Sequence, residues 1–90
     1  MDIFELKGKN HIEYLKIAVK MYAAQEGWSL NDRNSLFKLI DACLDIDHLS
    51  DLFDSFANCE IREGDTFEEF LEYADEFVSD NIDDANSWID

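Results

Sequence analysis

Thr66-Phe67-Glu68-Glu69-Phe70-Leu71-Glu72-Tyr73-Ala74-Asp75-Glu76-Phe77-Val78 is the stretch that decides the fold class. Its apolar residues Phe67, Phe70, Leu71, Ala74, Phe77 and Val78 recur at i, i+3, i+4 and i+7, the repeat of a helix with one buried side. Thr66 followed by Glu69 is a capping box, in which each residue satisfies a backbone N–H near the other. The carboxylates Glu68, Glu72, Asp75 and Glu76 fall on the side opposite the phenylalanines, with Glu69 beside them.

Working toward the N-terminus, Asn58 to Gly64 breaks the repeat and reads as a turn or an extended segment around Ile61. Before it a shorter helix begins near Asp47, with Leu49, Leu52, Phe53 and Phe56 on its apolar side and Asp47, Asp51 and Asp54 in a second acidic stripe. Ser29 with Asp32 is a start signal for a helix carrying Leu36, Leu39, Ile40, Cys43 and Leu44, with Asp41 and Asp45 near its end. Asn10 with Glu13 opens another, marked by Ile12, Leu15, Ala18, Val19, Tyr22 and Ala23 and closed by Gly27. Ile3 to Leu6 reads as a short strand or a packed arm. The tail from Asn81 is acidic, and Ile82, Trp88 and Ile89 are the residues that would dock it as a final turn. Proline is absent, and the glycines Gly8, Gly27 and Gly64 punctuate these segments. The expected fold is all-α: a small bundle of about four amphipathic helices, with a short extended segment at residues 3–6 or 59–62.

Ninety residues and 10.5 kDa fit one domain spanning 1–90, and 47% hydrophobic content supplies a core that a disordered acidic tail would lack. Seven basic and 22 acidic side chains give a net charge of −15. That balance excludes direct binding to nucleic acid or to an anionic membrane, since both would repel the chain. No apolar run approaches the ~18 residues of a spanning helix, and the first residues lack the basic-then-apolar order of a signal peptide. The expected location is the host-cell cytoplasm.

Catalytic chemistry finds no foothold. Cys43, His48 and Cys59 match no zinc spacing, and Cys43 lies on an apolar stripe as a small core residue would. Asp45-Ile46-Asp47 opens like a calcium loop, but Ser50 and Phe56 stand where that loop needs glycine and glutamate. No glycine-rich phosphate loop is present, and His11 and His48 have no nucleophile beside them in sequence. The expectation is a non-enzyme without catalytic residues, metal or cofactor.

Charge distribution is the most informative feature. Residues 1–40 hold six bases and five acids, whereas residues 41–90 hold Arg62 alone against seventeen acids, so +1 and −16 make up the −15. Like charges at i, i+4 cost a few tenths of a kcal/mol each, a penalty that a cationic partner would relieve. The expected function is therefore a DNA-mimic inhibitor of anti-CRISPR or antirestriction type. Its carboxylates would occupy the basic nucleic-acid channel of a CRISPR effector, restriction enzyme or nuclease. The expected partner-binding residues are Asp47, Asp51, Asp54, Glu68, Glu69, Glu72, Asp75 and Glu76, with Ile61 or Trp88 as apolar anchors. A homodimer would lengthen the charged surface.

The segment Cys59-Glu60-Ile61-Arg62-Glu63-Gly64-Asp65-Thr66-Phe67-Glu68-Glu69-Phe70, continued by Tyr73-Ala74-Asp75-Glu76-Phe77-Val78, resembles a stretch of ArdA-type antirestriction proteins. In those proteins an acidic helix follows a short extended piece and a Gly-containing turn. The resemblance covers about residues 45–80, and Glu68, Glu69, Glu72, Asp75 and Glu76 match the acidic helix. It implies a phage or mobile-element protein that mimics DNA to block host defence. Two other readings stand beside it. A toxin-immunity protein would be a similar acidic cap on a basic nuclease. Asn34-Ser35-Leu36 resembles the Asp-Ser-Leu site of acyl carrier proteins, with asparagine for aspartate and no preceding glycine; capping preference offers a plain serine near a helix start instead.

Overall fold

The structure is a computed structural model that describes residues 2–26, 33–59 and 66–89, with side chains omitted at 26, 33, 34 and 56–59. The described residues form an all-α bundle: α1 (Ile3–Lys9), α2 (His11–Glu26), α3 (Arg33–Asp41), α4 (Ile46–Cys59), α5 (Phe67–Asp80) and α6 (Ile82–Ser87). The Cα radius of gyration is 12.2 Å, close to the ~12 Å of a folded chain of this length.

Among the described residues six helices stand where about four were expected, because a short one is added before α2 and another after α5. Residues 3–6 are helical, neither strand nor arm. The Asp2 side chain accepts the Glu5 N–H at 2.9 Å, and Lys7 and Lys9 sit in the last turn, where the helix dipole favours cations. Four residues hold one turn of either period, so the sequence alone left the choice open. Gly8 lies inside α1, and the break falls at Asn10, whose extended backbone ends α1 and whose side chain accepts the Glu13 N–H at 3.4 Å as α2 begins. The starts and stops expected from Gly27, Ser29, Asp32 and Gly64 lie outside the described residues, as does the extended piece beyond Cys59.

α2 is the axis of the bundle, packing against α1, α3, α4, α5 and α6. Nearly every residue from Tyr14 to Ala23 is therefore buried, and the apolar stripe read from the sequence closes around the helix. Two of its lysines make this possible. Lys16 is buried but gives its ammonium to the Asp41 carbonyl at 3.0 Å and to Glu13 at 3.4 Å. Lys20, one turn on, pairs with the Asp41 carboxylate at 2.5 Å. Both cations close the C-terminal end of α3, where carbonyl oxygens lack helical partners.

α4 begins at Ile46, with the Asp45 carboxylate accepting the His48 N–H at 2.8 Å, and runs to Cys59. It is as long as α5 and passes through the break expected from Asn58. Thr66 caps α5 as the sequence predicts: its hydroxyl accepts the Glu69 N–H at 3.2 Å and lies 3.3 Å from the Glu69 carboxylate. Aromatic rings join α2, α4 and α5. Phe70 touches Tyr22, Phe53, Phe67, Tyr73 and Phe77 at centroid separations of 5.1–6.4 Å. At the end of the chain, Ala85 of α6 is buried and Trp88 meets Phe37 edge-on at 5.3 Å, so the acidic tail docks. The Ile3 N–H donates to Asn86 Oδ1 at 2.8 Å, tying the first helix to the last.

Candidate functional site

α5 separates its residues by side, except that Leu71 of the apolar repeat is exposed and Phe77 half-buried. Phe67, Phe70, Ala74 and Val78 are buried, while Glu68, Glu69, Glu72, Asp75, Glu76 and Asp80 are exposed. The division follows from a 3.6-residue turn: Glu68, Glu72, Glu76 and Asp80 stand four apart and climb one side. Asp80 carries that row one turn beyond the residues expected from sequence, and Asp83 and Asp84 of α6 are exposed as well. The signal was the continued four-residue step from Glu76, which the polar tail obscured.

Asp75 stands apart from its neighbours. Its carboxylate takes a hydrogen bond from Lys7 at 2.7 Å and one from the Tyr14 hydroxyl at 2.5 Å. The Lys7 bond, then the Tyr14 bond, hold the Asp75 carboxyl below its ordinary value of 3.8. Burial, followed by the Asp75 hydrogen bond and charge, pushes the Tyr14 phenol well above its ordinary range. His11 stacks on Tyr14 at 6.1 Å, and Lys7 lies over the same ring at 5.5 Å. This cluster binds α1 and α2 to α5; its carboxylate is already committed within the chain.

On α4, Asp47 and Asp51 are exposed, but Asp54 is half-buried and accepts the Phe67 N–H at 2.8 Å. Asp54 therefore helps to start α5. Of the eight expected partner-binding residues, Asp47, Asp51, Glu68, Glu69, Glu72 and Glu76 have no ion pair with a described cation, whereas Asp75 and Asp54 have structural duties. The lysines of the first half mostly turn inward: Lys7, Lys16 and Lys20 pair with Asp75, Glu13 and Asp41. Among the described residues, no cation pairs with the outward carboxylates Asp47, Asp51, Glu68, Glu69, Glu72 and Glu76.

The density of that charge can be set against DNA. Glu68, Glu69, Glu72 and Glu76 span eight residue steps, about 12 Å at ~1.5 Å per residue, so successive charges rise on average about 4 Å. A single DNA strand carries one phosphate per ~3.4 Å of axis. α4 packs directly against α5 through Phe53, whose ring lies 5.5 Å from Phe67 and 5.2 Å from Phe70, so a second acidic helix adjoins the first.

The other candidate residues fall elsewhere. Ser35 is the third residue of α3 and exposed. Cys43 is buried, its Sγ–H directed to the Leu39 carbonyl at 3.4 Å, and burial pushes its thiol pKa up. That is the setting of a packed, unreactive cysteine. Trp88 is half-buried and meets Phe37 edge-on; Ile61 lies outside the described residues. Among the described residues no three His, Cys, Asp or Glu side chains gather as a metal site, and no helix is long and apolar enough to cross a membrane. Comparison with known proteins finds no matching family model, curated protein or solved structure.

Proposed function

We propose that this chain is a DNA-mimic inhibitor of phage or mobile-element origin, acting on a host defence nucleoprotein of CRISPR or restriction type. It acts by occlusion and performs no catalysis. Carboxylates of α5, joined by Asp47 and Asp51 of α4, meet arginines and lysines that otherwise bind phosphates. The observation that supports this reading is the row Glu68, Glu69, Glu72 and Glu76, whose charges rise on average about 4 Å apart, near the ~3.4 Å phosphate spacing of one DNA strand, and which has no ion pair with a described cation. Its side chains stand on a helix anchored by four buried apolar residues, so their backbone positions and spacing are set before any partner arrives. Preorganised carboxylates lose less entropy on pairing than those of a disordered acidic tail. Their field also steers a cationic channel toward the chain.

The test is capture of host proteins on the immobilised chain, with a DNA duplex as competitor and a salt series. Nucleic-acid enzymes should be retained, displaced by the duplex, and released steeply between about 50 and 200 mM salt. The triple variant E68K/E72K/E76K should retain none of them. Capture that ignores both duplex and salt would overturn mimicry. Retention of a single secreted nuclease in place of a defence complex would replace it with toxin immunity.

A further inference from the structure

Between α3 and α4 the chain turns Cys43 into the core and Leu44 outward, leaving Leu44 87% exposed. The turn is fixed on both sides. The Cys43 N–H bonds the Ile40 carbonyl at 3.1 Å, and Asp45 caps α4 through the His48 and Leu49 N–H groups at 2.8 and 3.1 Å. Leu44 is therefore presented on a held turn, with its side chain in solvent. Beside it lies a shallow groove, wide open to solvent, of about 450 Å³ and lined by Ile12, Leu44, Asp45, Ile46 and Asp47. Ile46 is 39% exposed, and nearby in sequence Leu39 is 49% exposed. A lone exposed leucine is ordinary, but three aliphatic side chains forming a concave surface under two carboxylates are a different matter.

We propose that this groove docks a basic segment of a partner protein, one apolar side chain of which seats against Ile12, Leu44 and Ile46 while flanking arginines or lysines pair with Asp45 and Asp47. Charge decides the occupant. Neither carboxylate has an ion pair with a described cation, and a chain of net charge −15 attracts a cationic segment. A second copy of the chain, related by a two-fold axis, would bring Asp45 and Asp47 toward their own counterparts. The site deepens the proposed function and rests on it for the identity of the partner. Asp47 belongs both to the α4 acidic row and to this groove, so a cationic surface following the row ends on a shallow apolar patch. Such desolvated apolar contacts supply lasting affinity, where rim charges mainly supply approach rate.

The experiment is an amide NMR titration of the full chain with two short peptides, one holding a phenylalanine between arginine pairs and one holding serine in its place. The phenylalanine peptide should shift Ile12, Leu44 and Ile46 saturably, and the serine peptide should bind at least about tenfold more weakly. Leu44→Ala should remove that difference without loss of folding, because the side chain is almost wholly in solvent. Equal binding of the two peptides would overturn the proposal. So would groove shifts that follow protein concentration alone, which would assign the groove to a second copy. Repeating the titration on E68K/E72K/E76K separates the two readings. If the peptide still docks while host capture proves insensitive to salt and duplex, mimicry fails and the groove stands. If capture behaves as DNA mimicry requires but Leu44→Ala changes nothing in either assay, the groove fails alone.

Discussion

α2 and α5 are built from similar apolar spacing but meet opposite surroundings. α2 is enclosed by five other helices, and its lysines are spent on the end of α3. α5 packs one side against aromatic rings and turns a row of carboxylates to water. The contrast explains how so acidic a chain holds together. Cations are used where they close helix ends or join elements, and the excess negative charge is pushed to the periphery, where water screens its repulsion. The interior bears the stability, and the outer face of α5 is free to serve another purpose.

The sharpest way to break that division is to remove the ring where the two helices meet. Phe70 is fully buried and touches rings from α2, α4 and α5. Phe70→Ala should cost about 3–5 kcal/mol, a large share of the stability of a domain this small. Denaturant titration followed by circular dichroism would check it. A loss below ~1 kcal/mol would mean that the aromatic core is not the seat of stability.

Among the described residues, the Asp75 cluster is where α5's acidic side is tied to α1 and α2. Asp75 is 59% exposed in its side chain, so solvent weakens its pair with Lys7. Hydrogen bonds to a charged group reach ~1.5–3 kcal/mol, and with that exposure Asp75→Ala should cost about 1–2 kcal/mol at neutral pH. The folded carboxyl titrates below 3.8, so its contribution is present above about pH 4 and disappears as pH falls through the folded value. The phenol of Tyr14 is raised above 10.0, so its share is present below about pH 10 and is lost at higher pH. Stability profiles of the parent and Asp75→Ala should therefore converge at the acid limb.

α5 was legible in its bounds and in most of its buried side because three signals agreed there: the capping pair Thr66 and Glu69, the phenylalanine repeat and the opposing acids; Leu71, on the edge of the repeat, is exposed. α1 was not legible, because Ile3 to Leu6 spans a single turn and the groups that fix it, Asn86 and Asp75, lie 83 and 68 residues from their partners in the chain. The acidic rows could be read from spacing, yet spacing cannot say which acids are already engaged. Asp54 and Asp75 look like their neighbours until the Phe67 N–H, Lys7 and Tyr14 arrive beside them. The groove at Leu44 was hidden for a related reason. Leu44 sits on α3's apolar stripe in sequence, but the helix ends at Asp41 and the turn reverses its direction.

Gly8 offers a smaller, opposite effect. It is helical, and a Cβ there would meet nothing within 4 Å. Gly8→Ala should stabilise the chain by roughly 0.5–1 kcal/mol by restricting the unfolded state and favouring helix. The gain would register as a higher denaturant midpoint at unchanged slope. No change would mean that α1 is not docked in the folded ensemble.

The smallest effect on folding carries the most weight for function. Glu72 has Glu68 and Glu76 four residues away on either side and no described cation beside it. Replacing it with lysine turns two like-charge neighbours into two favourable ones, each worth ~0.2–0.5 kcal/mol. Glu72→Lys should therefore leave the fold slightly more stable, by less than ~1 kcal/mol, while weakening capture of a cationic partner by tenfold or more. An acid kept for solubility or for folding would not combine a stability gain with a binding loss. Parallel measurement of both quantities on one variant thus separates a surface retained for a partner from one that is merely acidic, and a stability loss with unchanged capture would argue for the second.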